Sequence, residues 1–94
     1  MLHLTFGSCF NQKIKENILP PSLLHLTFGW DFDQEIKENV LPLSLLHLIF
    51  DYCFNQEIKE NILPPSLQII EFHKNYRDLA KKIKKPNLKI LFKE

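Results

Sequence analysis

Apolar and polar residues alternate at the start of the chain, with Leu2, Leu4 and Phe6 set against His3 and Thr5, and the same alternation returns at intervals of 22 residues. It recurs as Leu24, Leu26 and Phe28 around His25 and Thr27, and as Leu46, Leu48 and Phe50 around His47 and Ile49. A period of two predicts a half-buried β-strand, with the Leu and Phe side chains inward and the intervening residues on an open face. A fourth strand places Ile70 and Phe72 inward and Ile69 and Glu71 outward, with Gln68 where an inward Leu is expected. Ile90 and Phe92 continue the pattern in a fifth.

The strands belong to longer copies. Residues 1–22 share 15 of 22 positions with residues 23–44 and 17 of 22 with residues 45–66. Self-similarity at a fixed period marks a solenoid, in which each copy buries its apolar face against the next. The expected architecture is one solenoid domain over residues 1–94, mostly β, with one parallel strand per 22-residue repeat. Repeats 1–22, 23–44 and 45–66 are followed by a divergent capping repeat, 67–94.

Gly7 and Gly29 end the first two strands, where a glycine is expected to supply a positive φ; Asp51 and His73 hold that place later. Phe10, Phe32 and Phe54 come next, each followed by Ile14, Ile36 or Ile58, and Pro20, Pro42 and Pro64 leave little room for a helix. An irregular convex side is expected, with Asn17, Asn39 and Asn61 hydrogen-bonding turn backbone. The last copy departs after Phe72. Asn75 is a helix cap in front of Tyr76, Leu79, Ala80 and Ile83 at helical spacing, with Asp78 near the start and Lys81, Lys82, Lys84 and Lys85 near the end. A short amphipathic helix over about residues 75–85, stopped by Pro86, would shield the end of the core.

Leu45, Leu48, Phe50 and Cys53 fit the leucine-rich repeat, with apolar residues at positions one, four and six and Asn or Cys at nine, as do Leu67, Ile70, Phe72 and Asn75. Asp31 departs at the ninth position, and Phe10, Phe32 and Phe54 fall at ten rather than eleven. With Asn11 and Ile14, then Leu19, Pro20, Ser22 and Leu23, this spacing resembles the FNIP repeat, a 22-residue relative of the leucine-rich repeat, over residues 1 to about 72. The resemblance implies a non-catalytic role in protein binding. Such repeats occur mainly in social amoebae and in large DNA viruses that infect amoebae. Some members resemble substrate-recognition subunits of ubiquitin ligases through a preceding F-box, which this sequence lacks.

Composition narrows the function further. An apolar fraction of 45% with eight Phe suits a packed core, and 94 residues leave no room for a second one. No apolar run is long enough for a membrane span, and Met1 opens directly onto repeat sequence, so no leader and an intracellular location are expected, the host cytoplasm if the protein is viral. The net charge of +1 conceals −5 over residues 1–72 and +6 over residues 73–94. A solvated cap explains the basic end; weak nucleic-acid binding through Lys81, Lys82, Lys84 and Lys85 is an alternative.

Residues at equivalent positions stack in ladders about 4.8 Å apart. His3, His25 and His47 form one on the open face. A shared metal would need a closed tetrahedral set, and copies one to three carry no Cys or acid on that face. A recognition surface is the simpler reading. Cys9 and Cys53 lie two copies apart, about 9.6 Å by strand spacing and beyond the roughly 7 Å limit for a disulfide, so buried free thiols are expected. The Lys15, Lys37, Lys59 and Glu16, Glu38, Glu60 ladders form a solvated convex face. There is no phosphate loop, GxSxG, HExxH or paired CxxC, so neither enzyme nor cofactor is expected. The expected function is protein binding through His25, Thr27, His47, Ile49, Ile69 and Glu71, the partner being an unknown protein. Two other expectations stand beside it: a remnant of a longer array, and self-association through an open edge on the first strand.

Overall fold

The computed structural model describes residues 2–93. Its strands are β1 (His3–Thr5), β2 (His25–Thr27), β3 (His47–Ile49), β4 (Ile69–His73) and β5 (Lys89–Lys93), paired in parallel in sequence order. The register aligns copy with copy: His3 opposes His25, His25 opposes His47, and His47 opposes Ile69. The chain is a leucine-rich-repeat-like solenoid, mostly β, with an irregular convex side.

Position four and position six of each copy point inward. Leu26, Leu48 and Ile70 are fully buried, as are Phe50 and Phe72, with Phe28 at 1% exposure. The third inward residue differs from the alternation. Position one supplies it, through buried Leu23, Leu45 and Leu67, while Leu24 and Leu46 are half-buried and Gln68 is exposed. Each chain turns into its strand just before His25 or His47, as the bonds from Leu23 N to the Pro20 carbonyl and from Leu45 N to the Pro42 carbonyl show. A polar residue is tolerated at 68 because that position is not core. Met1, which the repeat places level with Leu23, lies outside the described residues.

The core is a double column of rings. Phe6, Phe28, Phe50 and Phe72 stack at centroid distances of 5.3, 5.3 and 5.5 Å. A second column, Phe10, Phe32 and Phe54, stacks at 6.1 and 6.2 Å. Within a copy the columns meet face to face, Phe28 on Phe32 and Phe50 on Phe54, both at 3.9 Å.

Turns between elements correct two expectations. Neither glycine has a positive φ; Asn17 and Asn39 take it, both at 66°, and Asn87 at 67°. Asn enters the left-handed region at less cost than most residues because its short polar side chain bonds locally. Asn61 instead lies in a 3-10 turn, Glu60–Ile62, and its amide donates to Glu38. Gly29 serves a close approach: a Cβ there would lie 2.5 Å from the Gly7 carbonyl oxygen and 2.8 Å from the Ser8 Cα. At Gly7 the same space is open.

The expected helix over 75–85 is shorter. A 3-10 turn, Lys74–Tyr76, leads into a single α-turn, α1 (Arg77–Ala80), and the chain then bends through bonds from Lys82 N to the Leu79 carbonyl and from Ile83 N to the Ala80 carbonyl. His73 caps the first turn, its Nδ1 accepting from Asn75 N at 3.3 Å, while the Asn75 amide donates to the Tyr52 carbonyl at 2.9 Å. A longer helix would carry the chain away from β5. Instead β4 and β5 pair with an offset of 20 residues, Ile70 on Ile90 and Phe72 on Phe92. Copy four also keeps the repeat further than its sequence suggests. Tyr76 falls where Phe54 does, stacks on Phe72 at 4.1 Å and donates its hydroxyl to the Gln56 carbonyl; burial pushes its phenol up to about 12.

Phe50→Ala should cost about 3–5 kcal/mol, most of the reserve of a small domain, because the ring is fully buried between Phe28 and Phe72. Chemical denaturation should also separate the glycines. Gly29→Ala should lose about 1–3 kcal/mol, whereas Gly7→Ala should stay within about 0.5 kcal/mol of the parent.

Candidate functional site

The six residues expected to bind a partner form one patch. β2 and β3 have three residues each, of which the first and third project from the open face, and the registers place these with Ile69 and Glu71 of β4 in two rows: His25, His47 and Ile69 in one, Thr27, Ile49 and Glu71 in the other. All six are half-buried. Ile49 and Ile69 lie diagonally on adjacent strands, Ile49 opposite Glu71 and Ile69 opposite His47, with two imidazoles, a hydroxyl and a carboxylate around them.

The imidazoles touch. His3 and His25 stack face to face at 4.2 Å and 3°, while His25 meets His47 edge-on at 4.3 Å and 87°. Burial of His25, and then the fields of His3 and His47, hold its pKa below the ordinary 6.5. Among the described residues no three His, Cys, Asp or Glu side chains are grouped to hold a metal ion.

Both cysteines are free, but they are not buried as expected: Cys9 is exposed and Cys53 half-buried. The ninth position lies at the rim of the turn, where backbone bonds join the copies, Asp31 N to the Ser8 carbonyl at 2.9 Å and Cys53 N to the Trp30 carbonyl at 3.1 Å.

The same rim carries residues that the strand pattern did not single out. Trp30 and Tyr52 stack at 4.5 Å and 11°, and His73 meets Tyr52 edge-on at 5.0 Å. The eighth position reads Ser8, Trp30, Tyr52 and Lys74, so neighbouring copies disagree completely there, and that divergence is the signal that could have found it. Asp51 pairs with Lys93 at 3.5 Å beside this rim.

Ladders on the remaining surface are structural. The Asn11 Oδ1 accepts from Asp33 N at 2.8 Å and from the Gln34 amide at 3.0 Å; one copy on, the Asp33 Oδ1 accepts from Asn55 N and the Gln56 amide, both at 2.9 Å. Ser44 and Ser66 donate to the Leu23 and Leu45 carbonyls at 2.6 and 2.7 Å, fixing the turn before the strand. At the basic end, Lys81 faces Asp78 and Lys82 faces Glu57, both at 3.7 Å. No helix among the described residues is long and apolar enough to cross a membrane.

A profile of the FNIP repeat matches residues 10–53 and 54–84. The match reaches past residue 72 because Tyr76 and Ala80 keep the places of Phe54 and Ile58. A solved structure, that of CroV588, described as a novel circular LRR protein, is similar to this chain with a TM-score of 0.72 and 39% identity. The likeness covers 99% of this chain and 18% of that one. No curated protein matches.

The His25 shift makes the fold pH-dependent with a definite sign. A lowered folded pKa means that the unfolded chain takes up the proton first, so this contribution is complete above about pH 6.5 and is lost as pH falls through the folded value. An NMR titration should give His25 a midpoint below 6.5, moving upward in His47→Gln. A midpoint at or above 6.5 would contradict the packing described.

Proposed function

Since this chain belongs to the FNIP repeat family, we propose that it is a non-catalytic protein-interaction module that binds a protein partner through its strand face. The observation that carries this reading is the placement of Ile49 and Ile69 on adjacent strands of one face with His25, His47, Thr27 and Glu71. An apolar centre with polar groups around it is how interfaces exclude water while keeping orientation. The patch lies on main chain held by a parallel ladder, so binding demands little reordering, and its entropic cost is small. The solved likeness to an LRR protein supports a scaffold of this type.

A second reading, self-association, rests on the first strand. Among the described residues β1 is paired only with β2. Leu2 is 54% exposed, and Leu4, Phe6, Phe10 and Ile14 are half-buried where most of their counterparts in copies two and three are buried. Such an edge offers main-chain donors and acceptors together with apolar area. Gly7 leaves open the space that Gly7 and Ser8 fill against Gly29, so a further repeat has room to approach.

His47→Glu with Ile69→Glu should abolish capture of the partner while circular dichroism stays unchanged; capture at the parental level would reject the strand-face assignment. Light scattering across concentrations checks the second reading. A mass that rises with concentration in the parent and not in Leu4→Lys supports edge association, and a constant monomer mass excludes it.

A further inference from the structure

Beside the strand-face patch lies a surface that the fold itself does not require. Trp30 and Tyr52 are 49% and 43% exposed, although large aromatic rings are among the most favourable to bury. The turn that carries them forms without them. Copy one holds Ser8 at the same position and makes the same backbone bond, Asp31 N to the Ser8 carbonyl, that copy two makes between Cys53 N and the Trp30 carbonyl. The rings therefore add surface rather than structure.

The pair is open at one end. Tyr52 is closed on its far side by the edge of His73. The face of the Trp30 indole away from Tyr52 has no ring partner among the described residues, and one copy back the same ladder position holds small, exposed Ser8. Among the described residues no second ring and no cation lies on that face, whereas at the basic end the Phe92 ring is already covered by the Arg77 guanidinium at 4.6 Å. A planar group at the ladder position of Ser8 would lie one strand spacing, about 4.8 Å, from the indole.

The charge beside it is negative. Asp31 follows Trp30, is exposed, and takes part in no ion pair among the described residues. Residues 1–72 carry a net charge of −5, and Lys13, Lys15 and Lys37 gather on the convex side. An uncovered indole is the strongest aromatic partner for a cation. A planar guanidinium can also lie flat on the ring while its edge hydrogen-bonds a carboxylate, which a lysine ammonium cannot do in both ways at once.

We propose that the space over Ser8, bounded by the face of Trp30 and by Asp31, receives an arginine side chain from a basic segment of the partner protein. This rests on the strand-face reading, because it treats the rim as an extension of the same interface. The partner is thereby defined by chemistry: arginine beside residues that suit the Ile49 and Ile69 patch.

Trp30 is the only tryptophan of the chain, so its fluorescence reports on the slot directly. The probe is a nine-residue peptide of alternating Arg and Ser, with Lys and Glu versions as controls. The arginine peptide should give a saturable change in emission that weakens with added salt, and the glutamate peptide none. Asp31→Asn should weaken binding about threefold and Trp30→Leu about fivefold or more, read by anisotropy of a labelled peptide, as expected when one exposed cation–π contact and one ion pair are removed. Ser8→Tyr, which fills the slot without altering Trp30 or Asp31, should block the peptide. A linear, unsaturable change, an equal response to the glutamate peptide, or unaltered binding to Ser8→Tyr would overturn the proposal; equal binding of the lysine peptide would overturn the choice of arginine. The strand-face variant His47→Glu with Ile69→Glu separates the two readings. Loss of partner capture without any Trp30 response overturns the slot alone, and a Trp30 response with full capture overturns the strand-face reading.

Discussion

Everything in this structure depends on the stacking of rings wider than the spacing of the strands that carry them. Parallel strands are about 4.8 Å apart, but the Phe6 column repeats at 5.3 to 5.5 Å and the Phe10 column, farther from the sheet, at 6.1 and 6.2 Å. Successive copies must therefore fan out away from the strands. The sheet becomes the inner side of a curve, which makes the strand face concave and brings its outward side chains closer together. The histidine contacts at 4.2 and 4.3 Å are the visible result, shorter than either aromatic column. The same packing that builds the core thus assembles the patch.

The two ends of the stack are finished differently. At the basic end the strand-to-strand offset contracts to 20 residues, α1 brings Ala80 and Ile83 over the core, and Arg77 lies on Phe92. β5 begins and ends with lysines, a charge placement that discourages further strand addition. After β1, the Phe6 and Phe10 rings stack on each other at 4.3 Å while remaining half-buried. Charge at one end and apolar area at the other give the solenoid a direction.

Most of the architecture was legible because it is repetitive. Period-two alternation located all five strands, and the 22-residue offset gave the parallel register of the first four without any knowledge of the loops, whereas β5 pairs with β4 at an offset of 20. What was misread depended on contacts between copies. Glycine suggested a positive φ, but its use at Gly29 is to let the Gly7 backbone approach, which one copy read alone cannot reveal. Alternation put position two inward, yet Leu24 and Leu46 are half-buried and position one, Leu23, Leu45 and Leu67, is core because the chain has already turned there. In copy four, helical spacing of Tyr76, Leu79, Ala80 and Ile83 identified the buried face, whereas the length of the helix was set by the need to return to β5. The patch of six residues followed from strand direction and was readable. The Trp30–Tyr52 rim was not, since the alternation ends before position eight and only the divergence of the copies marks it.

That contrast suggests how function is written on a repeat of this kind. Positions on which the copies agree, such as Phe at ten, Leu at nineteen and Ser at twenty-two, are occupied by ring stacking, core packing and turn bonds, and a change at one of them is felt in both neighbours. Positions five and eight read Thr, Thr, Ile, Glu and Ser, Trp, Tyr, Lys along the stack. These lie on the open face or its rim, where a side chain has room to differ without disturbing the copy beside it. The aromatic core enforces identity and the concave side tolerates variety, so the variable positions are the ones free to fit a partner. Four copies with one common interior can then present four different sets of side chains on one open face, at positions where a substitution costs the fold little.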